Sequence, residues 1–410
     1  MTNDSKTPAI RFKRYTDDWE QRKLGEMCPT FLDGDWIESK DQSESGVRLI
    51  QTGNVGIGTY IDKADRAKWI SEETFSRLHC EEVYAGDILI SRLPDPAGRA
   101  CIVPETGQKM ITAVDVTIAR TSENYDSKFL LQYLCSDNYF KDVSNTLSGS
   151  TRQRISRSSL EQIIIPTAPS IEEQNRIGNY FNRLDNLITL HQRKLEKLQN
   201  LRKAMLKKMF PRNGANKPEI RFKGFTDAWR KHKLSDVAKY RNGKAHENDI
   251  DEYGKYIVIN SKFVSTDGEV RKYSNMQIEP LVKNEIAFVL SDVPNGRAIA
   301  RTFLVDASDK YTLNQRVAGI TPLENTYPYF LHILMNRNRY FLSYDDGVKQ
   351  TNLSVSDVMK FEEIYPTYEE QKQIGIFLEN LDNLITLHQR KCEKYINIKS
   401  GLIRKLFPTI

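Results

Sequence analysis

Leu184–Lys194 reads LDNLITLHQRK, and Leu381–Lys391 reads LDNLITLHQRK again. All eleven positions agree across an offset of 197 residues, which marks an internal duplication. Extended backwards, Glu172–Lys194 and Glu369–Lys391 share 16 of 23 residues. A second repeated block opens each half: Pro8–Leu24 (PAIRFKRYTDDWEQRKL) and Pro218–Leu234 (PEIRFKGFTDAWRKHKL) share 10 of 17. The long segments between these blocks barely match. The chain is one plan used twice, with the middles altered.

The repeated stretches predict helices. Ile177, Phe181, Leu184, Ile188, His191, Leu195, Leu198, Arg202, Met205 and Met209 step by four and three without a break. The second copy gives Ile374, Leu378, Leu381, Ile385, His388, Cys392, Tyr395, Lys399, Leu402 and Leu406. A stripe at this spacing over more than four heptads predicts a coiled coil, with each helix roughly 55 Å long at 1.5 Å per residue. Ser170 with Glu173, and Thr367 with Glu370, predict capping boxes at the helix starts. Phe210-Pro211 and Phe407-Pro408 predict the stops. If the ends of the second middle segment lie close together, the second helix runs back antiparallel along the first. The block Pro8–Leu24 then sits near the C-terminus, as Pro218–Leu234 sits near the end of the first helix.

The middle segments read as mixed and β-rich, an α+β class. Val47–Ile50, Asp87–Ser91, Ala113–Ala119 and Gln162–Ile165 are short, apolar and β-branched runs between Gly, Pro and Asp punctuation. A helical pattern spans Lys128–Thr146. The second half repeats the grammar: Gly86–Ser91 parallels Asn284–Val289, Gly98-Arg99-Ala100 parallels Gly296-Arg297-Ala298, and Gly149–Ser156 parallels Gly347–Ser354. The expected division is a first recognition domain over 8–169, a central helix over 170–210, a linker over 211–217, a second recognition domain over 218–366 and a C-terminal helix over 367–408.

Composition narrows the function classes. The 410 residues carry a net charge of +6, and no apolar run is long enough to span a bilayer. The five cysteines are scattered and never in CxxC spacing, which fits reduced thiols in a cytoplasm and argues against a zinc site. Basic residues concentrate on the helices: His191–Arg212 holds eight Lys/Arg against Glu196, and His388–Ile410 holds six against Glu393. Such faces suit a polyanion or are simply solvated. Catalytic motifs are not found. Gly53–Gly58 (GNVGIG) precedes no apolar helix, Asn242–Ala245 lacks the rest of a P-loop, and the six histidines form no HxH or HExxH pair. The acids Asp17, Asp18 and Glu20 are not kept as a set in the second copy, where Ala228 and Arg230 replace the last two.

DNA contact is the chemistry that the loops support. Arg152, Gln153, Arg154 and Arg157 lie on a Gly-led loop whose counterpart carries Lys349, Gln350 and Asn352. Arg binds guanine through two hydrogen bonds, and Gln or Asn binds adenine likewise. Gln51, Thr52 and Asn54 pair with Asn260 and Lys262 as polar loops, Asn314, Gln315 and Arg316 form another with Asp115 roughly opposite in the first half, and Arg92, Arg99 and Arg297 complete the candidate set. On the stripes, Leu184, Ile188, His191, Leu195, Leu198, Leu381, Ile385, His388 and Tyr395 are the candidate seam and partner-docking residues. His191 and His388 are either register-setting, pH-sensitive contacts or satisfied interface histidines.

The order of variable segment, Pro-[ST]-x-E-E-Q, LDNLITLHQRK helix, RFKGFTDAW block, second variable segment and second EEQ helix resembles the specificity (S) subunits of type I restriction-modification systems, over essentially the whole chain. The resemblance implies two target recognition domains, each reading half of a bipartite, asymmetric site on double-stranded DNA. It implies an antiparallel coiled coil that sets the spacer and docks two methyltransferase subunits, with two restriction subunits completing the nuclease. It also implies a chain that binds no cofactor and no membrane, with S-adenosylmethionine, ATP and Mg²⁺ used by the partners. A scaffold that clamps proteins without reading DNA, and a self-contained nuclease, are the competing readings. The paired but divergent polar loops favour DNA reading, and the missing catalytic motifs speak against a nuclease.

Overall fold

The computed structural model describes residues 7–94, 96–148, 153–212 and 214–407. The chain forms two compact units, Met1–Arg193 with Gln389–Ile410, and Lys194–His388. Both units therefore take in parts of the two long helices, Ile171–Lys208 and Tyr368–Leu406.

The first unit holds a four-stranded antiparallel sheet in the order Thr30–Asp33, Val116–Arg120, Ile88–Ser91, Ala100–Ile102. A second sheet runs Gln42–Ser43, Lys68–Ile70, Val47–Ile50, Met110–Thr112, with its last pair parallel. Ile88–Ser91 and Val47–Ile50 are buried along their whole length, so their side chains fill both faces. The second unit repeats the first sheet with Ala238–Asn242, Val317–Pro322, Ile286–Val289 and Thr302–Leu304; its second sheet, Tyr273–Ser274, Tyr256–Ile259, Tyr311–Leu313 and Pro280–Leu281, keeps three strands in the same order and carries its fourth on the opposite edge. The equivalent pair, Tyr256–Ile259 with Tyr311–Leu313, is again parallel and here lies in the middle of the sheet. The expected helix over 128–146 is two helices, Ser127–Tyr133 and Asp137–Asn145. The break falls at Ser136, whose hydroxyl accepts from Tyr139 N–H and caps the second helix.

Each repeated opening block closes against the end of a long helix in its own unit. Ala9 N–H donates to Lys405 O at 2.9 Å, and Ile220 N–H donates to Lys208 O at 2.9 Å. Trp19 lies edge-on to Phe129 and Phe407, as Trp229 does to Phe210 and Phe330. The Phe of each Phe-Pro stop thus plugs an aromatic nest at one end of the core. Pro408 lies outside the described residues.

The capping boxes are corrected. Ser170 and Thr367 accept from the Glu173 and Glu370 amides only at 3.4 and 3.5 Å. The two glutamates do not reach back. Glu173 takes Arg11 at 2.7 and 2.8 Å, and Glu370 takes Arg221 at 2.6 and 2.7 Å, both as two-pronged pairs with a fully buried carboxylate. The following glutamines clamp the domain: Gln174 accepts from Asp126 N–H and donates to Ala168 O, and Gln371 accepts from Tyr327 N–H and donates to Pro366 O. The RFK and EEQ motifs recur together because one supplies the guanidinium and the other its carboxylate.

Every stripe residue is buried or half-buried. In the first unit Ile177, Phe181 and Leu184 share a core with Ile403 and Leu406, and Asp185 pairs with Lys399 at 2.6 Å. In the second unit Ile374, Leu378 and Leu381 pack with Leu198 and Met205, and Arg202 pairs with Asp382. Low-numbered residues of one helix meet high-numbered residues of the other, so the packing is antiparallel within each unit. The two ion pairs are one contact seen twice, because Asp382 and Lys399 are Asp185 and Arg202 displaced by the repeat offset.

Candidate nucleic-acid interface

Five backbone hydrogen bonds gather the variable loops of the first unit into one edge. Gly34 N–H donates to Val116 O, Asp35 N–H to Thr112 O, Ala113 N–H to Ile50 O, Arg92 N–H to Asp115 O and Ile155 N–H to Arg92 O, all at 2.8 to 3.1 Å. The second unit repeats them from Gly243 to Val317, Lys244 to Leu313, Asn314 to Ile259, Leu290 to Arg316 and Leu353 to Leu290, again at 2.8 to 3.1 Å. Glycine is required at the first pair, since a Cβ on Gly34 or Gly243 would collide with the Ala113 or Asn314 carbonyl. The scaffold is shared, and it brings the predicted loops together: 51–54 with 113–115 and 153–157 in one unit, 260–262 with 314–316 and 349–352 in the other. Asp115 and Arg316 occupy equivalent positions on it, as do Gln51 and Asn260.

Side-chain placement corrects several candidates in the first unit. Arg99 donates to the carbonyls of Thr52, Val55, Leu93, Pro94 and Pro96 at 2.7 to 3.1 Å, so its guanidinium is spent inside the loops. Arg92 is buried, donates to Val114 O at 2.7 Å and faces Asp33 and Asp115. Asn54 is buried too; its Oδ1 accepts from Gln51 N–H and its Nδ2 donates to Ile61 O. The polar atoms of these three are engaged within the edge and hold its loops together. Gln51 and Thr52 are half-buried, while Gln153, Arg154 and Arg157 are exposed, Arg157 with Glu161 at 3.4 Å. Arg152 lies outside the described residues.

In the second unit Asn260 caps the helix Ser261–Ser265 through its Oδ1, which is a structural role. Lys262, Arg297, Gln315, Arg316, Lys349, Gln350 and Asn352 are exposed. Gln350 donates to Ser291 Oγ at 2.8 Å, and Asn352 pairs with Ser291 across a short strand pair. Gln315 donates to Glu247. Asn314 is half-buried with its Oδ1 lacking a partner. The strand registers also correct one repeat alignment. Ile88 pairs with Ile102 where Ile286 pairs with Leu304, so Arg99 is equivalent to Arg301 rather than Arg297. The second unit carries four extra residues in this loop. Asp292 organises them, accepting from the Val293, Ala298 and Ile299 amides.

On the long helices, His191 is buried and stacks on Tyr395 with centroids 5.7 Å apart. It serves the seam, as do the other stripe residues. The apolar residues that the repeat leaves exposed are different ones: Leu187 and Leu190 on the first helix, and their counterparts Leu384 and Leu387 on the second. They fall between stripe positions, and a reading that followed only the four-and-three spacing did not single them out.

The residues match the family described as the type I restriction modification DNA specificity domain over 16–200 and again over 226–396. The chain belongs to that family. Two curated relatives are specificity subunits of Methanocaldococcus jannaschii. The type I restriction enzyme MjaVIII subunit is 25% identical over 202 residues, 46% of this chain and 45% of its own length. The putative type I restriction enzyme MjaX subunit is 21% identical over 413 residues, 95% of this chain and 93% of its own length. The fold is similar to that of the S subunit of a type I restriction-modification system from M. genitalium, with a TM-score of 0.69 at 15% identity, covering 98% of this chain and all of that one. Among the described residues no helix is long and apolar enough to cross a membrane.

Proposed function

We propose that this specificity subunit is itself non-catalytic and reads a bipartite, asymmetric site on double-stranded DNA, one half with each unit. The observation that carries this reading is the pair of edges, with a common backbone ladder and different side chains in the equivalent places. A shared ladder presents loops to a duplex in one manner, and the exposed Gln153, Arg154 and Arg157 on one edge, against Lys262, Arg297, Arg316, Lys349 and Gln350 on the other, offer different donors to base edges and phosphates.

The antiparallel long helices set the spacer between the half-sites. Leu187 and Leu190, with Leu384 and Leu387, are identical exposed leucine pairs on the duplicated stretch, and they suit two copies of one methyltransferase subunit. Methylation and cleavage belong to those partners and to two restriction subunits, which use S-adenosylmethionine, ATP and Mg²⁺; this chain binds none of them. A mobility-shift assay with co-expressed methyltransferase subunits tests the reading. One duplex sequence is retained above all others, and equal retention of every duplex leaves only a protein scaffold. Adding one heptad to both helices changes the spacer of the recognised site and keeps its half-sites; altered half-sites would refute the spacer role.

A further inference from the structure

Beside the edge of the first unit lies a polar cavity of about 170 Å³, several times the ~30 Å³ share of a water molecule. Four cationic side chains line it: Arg48, Lys63, Arg66 and Lys68. Its rim is formed by Gln51, Thr52 and Gly53, on the loop that Arg99 pins from within. Arg48 forms the floor. It is 4% exposed, lies over the Trp69 ring at 5.3 Å and meets Asp62 only at 3.5 Å. Arg66 faces its neighbour Asp65 at 3.9 Å. Lys63 and Lys68 have no ion-pair partner among the described residues. The Lys63 ammonium sits over Gly53, where a Cβ would come within 2.6 Å of it. Four cations against two acids leave the cavity with a net positive charge. A buried arginine that is only partly neutralised is costly without an anion nearby.

Among the described residues the equivalent place in the second unit is built differently. Arg48 pairs with Trp69 and Met110, and the residue that pairs in the same way with Tyr273 and Tyr311 is Ile257, which is 7% exposed. The aromatic neighbour is kept and the guanidinium is replaced by an aliphatic group. The floor that could hold an anion exists in one unit only.

We propose that this cavity is a phosphate clamp that seats one backbone phosphodiester of the half-site read by the first unit. It rests on the DNA reading above and goes beyond it by assigning an asymmetric, sequence-independent anchor. A phosphate oxygen seated above Arg48, with Lys63 and Arg66 closing over it, fixes how Gln51 and Thr52 meet the duplex, because phosphate contacts set register while base contacts specify.

The test uses the full chain assembled with its methyltransferase subunits and a duplex bearing its site. Uncharged methylphosphonates replace single phosphates one at a time, and the scan is repeated with the K63A/R66A double variant, whose altered side chains are exposed and leave the core intact. One position, in one half-site only, should weaken wild-type binding by about tenfold, and the same substitution should leave the double variant's affinity unchanged. The double variant should bind the same sequence with a salt slope smaller by about one to two units. Gly53→Ala, which displaces the ammonium without removing charge, should weaken binding at that position alone. The clamp is overturned if specific binding persists but every substitution weakens wild type and variant equally, or if the cavity takes inorganic phosphate while no DNA position responds. Absence of any sequence-specific binding by the wild-type complex would overturn the DNA reading itself, and the clamp with it.

Discussion

In the first unit an arginine holds the loop beyond Ile88–Ser91 by its carbonyls; in the second an aspartate holds the corresponding loop by its amides. Arg99 collects five backbone oxygens, and Asp292 collects three backbone N–H groups. Both solve the same problem, because a loop at a sheet edge has backbone groups that the ladder does not satisfy. The solutions have opposite charge, and the second admits four more residues. Beneath them the order of the antiparallel sheet, the parallel pair and the five cross-loop hydrogen bonds are the same. A fold that tolerates an inverted internal charge at its edge, while keeping its ladder, can vary what it presents without rebuilding what presents it.

The largest expected effect falls on what the units share. Glu173→Ala leaves Arg11, whose side chain is 9% exposed, without its carboxylate, and Glu370→Ala does the same to Arg221. Each should cost about 3–5 kcal/mol by denaturant unfolding, nearly equally in the two units. A large inequality would show that the clamp is not the common hinge of the design.

The next effect separates the units. Arg99→Ala and Asp292→Ala each remove a charged hub and should cost roughly 2–3 kcal/mol, each with increased amide exchange confined to its own unit. Arg297→Ala touches an exposed side chain and should leave stability within about 0.5 kcal/mol. It should weaken binding to the second unit's half-site by about 1–3 kcal/mol. Equal behaviour of Arg99→Ala and Arg297→Ala would restore the equivalence that the strand registers deny.

At neutral pH the smallest effect is that of a buried histidine, and it grows only with acid. His332 stands where the first unit has Leu131, on the helix whose start each clamping glutamine fixes. Its Nδ1 is buried without a partner, and burial pushes the imidazole down to about 4. The unfolded chain takes up a proton near 6.5 that the folded unit refuses, so stability falls as pH drops from about 6.5 towards 4. His332→Leu should flatten that fall in the second unit, followed by thermal unfolding across this window. An unchanged profile would place the acid sensitivity elsewhere.

Much of this was legible from the residues alone. Duplicated heptads with identical Phe-Pro stops gave the long helices, because burial at a 3.6-residue period leaves a strong trace. Val47–Ile50 was legible as a strand because it is a short β-branched run bounded by turn residues and buried along its length. The Arg11–Glu173 pair was not, since sequence-local logic assigns a Glu at that position to the helix cap and carries no sign of a guanidinium 162 residues away. The edge was legible as a set of loops but not as a set of roles. Arg92, Arg99 and Arg154 are the same residue type, yet two are turned inward onto carbonyls and carboxylates and one is exposed, a difference set by loop paths that short polar segments do not encode. The alignment of Arg99 with Arg297 failed because Gly-Arg-Ala recurs by coincidence within an inserted loop.

The ion pairs Asp185–Lys399 and Arg202–Asp382 also act as a lock against miscounting. Slippage of the seam by one heptad would set Asp185 against Cys392 or Leu406, both buried, and strand a carboxylate on an apolar surface. Two such pairs, one in each unit, would be broken together by any slip. A seam built from two copies of one helix needs a zero that cannot drift, and here that mark is written in charge.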